Sequence, residues 1–146
     1  MARRVLAIVL VIYLVGLLVF AFWPVHADTA LADWLDGFVP SIKVGDVDLG
    51  SPTSLAAAVN FVLFIPLGLL TAASFGRGSG ARWIAFGFCL AVAAGIEFVQ
   101  GLFIAGRTAS AYDLIAGAVG AAIGVLIIAI VAAAQKRSRR RAVATA

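Results

Sequence analysis

Charged side chains are scarce in this sequence. Asp, Glu, Lys and Arg make up 12% of its 146 residues, against about 25% in a typical soluble domain. That scarcity excludes an ordinary water-soluble enzyme and a disordered chain. Cysteine is nearly absent too. Cys89 is the only one, so an intrachain disulfide is impossible and a cysteine metal cluster is excluded. There is one histidine, His26, at the end of the first apolar run. There is no H-E-x-x-H, no nucleophile elbow and no metal-ligand set, so no cofactor is expected.

What the sequence has instead is hydrophobic length: 64% of residues are hydrophobic and the mean hydropathy is +1.12. A spanning helix needs roughly 20 mostly apolar residues, and four stretches meet that: about 5–23, 55–75, 83–104 and 112–134. Lipid offers no partner to backbone N–H and C=O groups, so these are helices. The expected fold is an all-α membrane protein, a four-transmembrane-helix bundle over residues 1–134, with a basic tail at 135–146. A rival reading makes the first segment a secretory signal cleaved after Ala27. Its apolar run exceeds the usual core of about 7–15 residues, which favours a retained helix.

Orientation follows Lys and Arg. Arg3, Arg4, Arg77, Arg82, Lys136, Arg137, Arg139, Arg140 and Arg141 fall on one side of four spans; Lys43 and Arg107 fall on the other. Both termini are therefore expected in the cytoplasm. The tail reads as a topology anchor on anionic lipid and not as a nucleic-acid module, and no nucleic-acid partner is expected. The outer loop, 24–54, carries Asp28, Asp33, Asp36, Asp46 and Asp48 against Lys43. Leu31, Trp34, Leu35 and Phe38 recur at helical spacing, predicting a short interfacial helix. The run from Ile42 to Leu49 predicts a small hairpin around Gly45-Asp46. The loop is either a lid over an outward site or a solvated connector.

Threading the spans gathers the polar residues. At 1.5 Å per residue, Asn60 lies about 8 Å below the outer boundary, Glu97 about 10 Å and Gln100 about 6 Å. Glu97 and Gln100 share a helical face. Arg107, Thr108 and Ser110 follow in the outer loop, and Asp113 opens the fourth span. Asn60, Glu97, Gln100, Arg107, Ser110 and Asp113 therefore form one candidate layer. Ionisable groups inside a membrane mark functional candidates, and arginine's fork suits phosphate or carboxylate. The competing reading is a polar staple that fixes helix register. Gly120 and Gly124 stand in G-x-x-x-G spacing, which serves either an internal contact or a homo-oligomer. Pro66 is expected to bend the second span, and Cys89 to act as a small hydrophobe facing lipid or a neighbouring helix.

These residues resemble the VanZ family. Asn60-Phe61, Phe64-Ile65-Pro66-Leu67-Gly68, Glu97-Phe98-Val99-Gln100 and Arg107-Thr108-Ala109-Ser110-Ala111-Tyr112-Asp113, then Gly120 and Gly124, match its N-x3-F-x-P-L-G, E-x2-Q and R-x2-S/D-x2-D pattern. Relatives often carry Asn where this chain has Gly117. The family is named for a glycopeptide-resistance protein linked to teicoplanin. The resemblance implies a small multispan protein of the bacterial cytoplasmic membrane, in a family some of whose members lower susceptibility to such drugs; the polar layer itself suggests an outer pocket that binds a lipid or cell-wall precursor head group. Two alternatives stand beside it. One is an enzyme acting on a lipid-linked phosphate, with Glu97 as acid or base, or with Mg²⁺ held by Glu97 and Asp113. The other is a structural partner subunit of an envelope complex.

Overall fold

The computed structural model describes residues 2–22, 43–44, 47–48, 52–76, 78–103 and 110–144. It contains α1 (Ala2–Ala21), β1 (Lys43–Val44), β2 (Val47–Asp48), α2 (Pro52–Phe75), α3 (Ser79–Phe103) and α4 (Ala111–Ala144). Among the described residues, four helices are long and apolar enough to cross a membrane. The expected interfacial helix, His26 and Arg107 lie outside the described residues.

Each helix boundary has a local cause. Pro52 opens α2, where its missing N–H is harmless. Gly76 follows the helix with φ of 134°, a conformation that favours glycine. The Gly78 carbonyl accepts the Arg82 N–H at the start of α3. The two largest departures from the boundaries read by hydropathy are in α3 and α4. α3 begins at Ser79 and not near Trp83, and α4 runs on to Ala144. Hydropathy finds the part of a helix that lipid requires, whereas the helix itself continues while its residues are good helix formers. Gln135, Lys136, Arg137, Arg140 and Arg141 are such residues, and Arg141 in the last turn complements the helix C-terminus.

The hairpin forms in the expected place. β1 and β2 pair antiparallel, with Lys43 opposite Asp48 and Val44 opposite Val47.

The most extensive helix contact is α2 against α4. It is built on glycine. A side chain at Gly120 would strike the Phe61 carbonyl, one at Gly124 the Ile65 carbonyl, and one at Gly68 the Ala121 carbonyl. Residue numbers rise together along the two helices at these contacts, so α2 and α4 are parallel neighbours. The sequence left Gly120 and Gly124 open between an internal seam and a contact between copies; here α2 of the same chain takes that face.

α1 lies against α2 along one stripe. Leu10 and Leu17 are buried, with Tyr13, Leu14, Leu18 and Ala21 packed beside them. The i, i+3, i+4, i+7 spacing is that of one helical face. Its other face leaves Ile8 and Ile12 well over half exposed, which suits hydrocarbon and not water. One polar bond ties α1 to α2: Tyr13 Oη donates to the Leu63 carbonyl at 2.6 Å. Leu63 lies in the turn before Pro66, whose missing N–H loosens the local ladder, yet α2 runs through it unbroken.

α3 closes the bundle with the stripe Ala85, Cys89, Ala93, Ile96 and Gln100, and with Glu97 beside it. Cys89 is fully buried and faces a helix neighbour, its Sγ 3.3 Å from Thr71 Oγ1. Thr71 also donates within its own helix to the Leu67 carbonyl at 2.8 Å.

Candidate functional site

The site grows from the last turn of α3 and the first turn of α4. Ser110 is the N-cap of α4. Its carbonyl accepts the Leu114 N–H at 3.2 Å, and its Oγ accepts the Asp113 N–H at 3.3 Å. These are the two bonds a capping serine makes. In a reciprocal capping box the acid at the third helical position would accept the cap's own N–H. Here another helix supplies the acceptor: Ser110 donates its N–H to Glu97 Oε2 at 2.7 Å. The Glu97 carboxylate thus sits at the positive end of α4, where the helix dipole favours it.

Three residues along the same face, Gln100 performs the matching task for a different helix. Its Nε2 donates to the Ala21 carbonyl at 2.9 Å. Ala21 is the last residue of α1, so its carbonyl has no partner within that helix. The E-x2-Q pair on α3 therefore serves one neighbour's N-terminus and another's C-terminus.

Glu97, Ser110 and Asp113 are brought together, and both acids are buried, at 8% and 7% exposure. Gln100 lies beside Glu97 but is engaged with α1. Asn60 is half-buried on α2. It stands one turn before Phe64, which packs on Gly117, and Asp113 stands one turn before Gly117. The neighbour of Asn60, Phe61, meets Gly120 through the main chain, which brings Asn60 to the α2–α4 seam, deeper along α4 than Asp113. Arg107 is in the 104–109 segment outside the described residues.

Gly117, where relatives often have Asn, is accounted for locally. A Cβ there would meet the Phe64 ring at 3.3 Å, so glycine lets that ring pack flush against α4.

Two hydroxyls went unmarked in the sequence. Thr71 is fully buried, and the Ser74 Oγ is buried with no hydrogen-bond partner among the described residues. Both lie toward the other end of α2, so polar groups are not confined to the layer of Glu97 and Asp113. The available signal was the position of Thr71 one turn past Leu67 on the core face of α2.

Two cavities are described, of about 420 Å³ and about 200 Å³, and both border Arg82 at the opposite end of the bundle. Neither touches Asn60, Glu97, Gln100, Ser110 or Asp113. Among the described residues, no group of three His, Cys, Asp or Glu side chains comes together to hold a metal ion.

No curated protein and no solved structure matches the chain. A family model described as VanZ/LLP1 matches residues 9–132, a stretch that begins inside α1 and ends within α4. It includes the whole polar layer and the glycine seam. The chain therefore belongs to the VanZ/LLP1 family.

Proposed function

We propose that this protein binds the phosphate or carboxylate of a lipid or cell-wall precursor head group at the outer face of the bacterial cytoplasmic membrane, lowering susceptibility to teicoplanin-type glycopeptides. Family membership supports a VanZ-like envelope protein. The observation that carries the binding reading is the burial of two carboxylates, Glu97 and Asp113, at one end of a lipid-embedded bundle. One acid would suffice to cap α4. Two carboxylates in one apolar layer are stabilised by a cation beside them.

Arg107 is the only cation in the sequence between α3 and α4. It stands three residues before Ser110, a separation that covalent geometry caps at about 11 Å. A guanidinium carries more donors than one carboxylate uses, so an arginine in this segment can serve both an acid and an anion. Asn60 and Ser110 add neutral hydrogen-bonding groups. The Lys and Arg distribution, nine cations against two, supports an outward position for this end of the bundle and cytoplasmic termini.

The test uses Arg107→Ala and Asp113→Asn. Both are expected to reach the membrane in normal amount while teicoplanin susceptibility rises to that of cells lacking the protein. Normal amounts with unchanged susceptibility would overturn the reading.

A further inference from the structure

The opposite end of the bundle carries a second set of features that the outer layer does not use. The larger cavity is a groove between the first turns of α3 and the middle of α4. Its walls are apolar: Trp83, Phe86, Ala122, Leu126 and Ala129, with Arg82 as the one charged residue in the lining. It opens on the lipid-facing side, since Trp83 is 74% exposed and Leu126 57%. Arg82 also borders the smaller cavity, together with Gly76 and Gln135. It therefore stands where two apolar spaces meet, and neither lining contains an acidic residue.

We propose that this groove is a binding site for one anionic diacyl phospholipid, its acyl chain lying along Trp83, Phe86 and Leu126 and its phosphate held by Arg82. The chemistry fits at both ends of such a molecule. A groove open to hydrocarbon is filled by a lipid chain, because an unfilled apolar wall forfeits its dispersion contacts. Tryptophan at a helix end marks head-group level. An arginine one residue away holds its charged end at that level while its stem covers apolar surface.

Head-group charge is selected by the surroundings. α4 passes the groove and continues through Lys136, Arg137, Arg140 and Arg141, so the mouth looks onto a positive field that favours anionic over zwitterionic lipid. A protein helix is a poorer occupant, since it offers no anion to Arg82 at the mouth.

Trp83 reports on the site directly. The full chain with Trp23→Phe and Trp34→Phe keeps it as the sole tryptophan. This protein is reconstituted in vesicles with graded fractions of brominated phosphatidylglycerol or brominated phosphatidylcholine. Bromine quenches the indole on contact. The anionic lipid is expected to quench at about fivefold lower mole fraction, the factor one basic residue gives at an anionic surface. Arg82→Gln is expected to remove that preference. Ala129→Phe, which fills the groove and leaves every cation in place, is expected to remove it too. Equal quenching by the two lipids would overturn the proposal, as bulk annular lipid then explains the signal. A preference that survives both Arg82→Gln and Ala129→Phe would overturn it as well, assigning the effect to the α4 tail alone.

Discussion

Gly120→Ala and Gly124→Ala are expected to disrupt the bundle, each by about 3 kcal/mol or more, at the upper end of ordinary overpacking costs. A new Cβ at Gly120 falls on the Phe61 carbonyl. One at Gly124 falls on the Ile65 carbonyl and lies 2.7 Å from the Leu69 nitrogen. These obstacles are main chain inside a helix, so no side-chain rotation relieves them and the helices must separate. Alanine's better helix propensity, worth about 1 kcal/mol over glycine, does not offset that.

The same substitution elsewhere is expected to be harmless. Gly16 and Gly95 have nothing within 4 Å of an added Cβ. Gly117→Ala should fall between, because its obstacle is the Phe64 ring and a ring can shift. Thermal unfolding of the purified variants in detergent checks the order. A Gly120 or Gly124 variant as stable as Gly95→Ala would mean that α2 and α4 do not pack this closely.

The second large effect is expected at Glu97, where two substitutions separate charge from hydrogen bonding. Glu97→Ala removes the acceptor of the Ser110 N–H and leaves that donor unmet in a buried layer, a loss of about 1–3 kcal/mol. Glu97→Gln keeps a carbonyl oxygen in reach of the same N–H and discards only the negative charge. If the carboxylate's charge serves an arginine-centred head-group site, Glu97→Gln protein remains folded and fails to protect against teicoplanin. Full protection by Glu97→Gln together with instability of Glu97→Ala would reduce the residue to a cap for α4. Susceptibility and thermal unfolding measured on both variants decide between these outcomes.

The parts of the architecture legible in the sequence were those governed by one-dimensional rules. Apolar length located all four helices, because lipid forbids unsatisfied backbone over that distance. Residue spacing put Glu97 and Gln100 on one face, and both are indeed buried there. Which group each would serve depended on where two other helices end, and no local pattern contains that. The glycines of α4 announced a close contact, but G-x-x-x-G spacing does not name its partner, and the structure assigns Phe61, Ile65 and Gly68 of α2. Thr71 was overlooked because a threonine in an apolar run looks unremarkable until Cys89 is placed beside it. The helical continuation of α4 was hidden for a different reason: hydropathy marks where lipid ends, not where a helix does.

The central claim is that the layer containing Glu97, Ser110 and Asp113 faces outward. It is tested most directly by labelling with a charged, membrane-impermeant thiol reagent in intact cells. Native Cys89 is fully buried and serves as a silent background. Ala111→Cys places a thiol on an exposed position beside Ser110, and Gly80→Cys places one on an exposed position at the other end of the bundle. Labelling of Ala111→Cys in intact cells, with Gly80→Cys reacting only after permeabilisation, is the predicted result. The reverse pattern would put the polar layer on the cytoplasmic side and contradict the account.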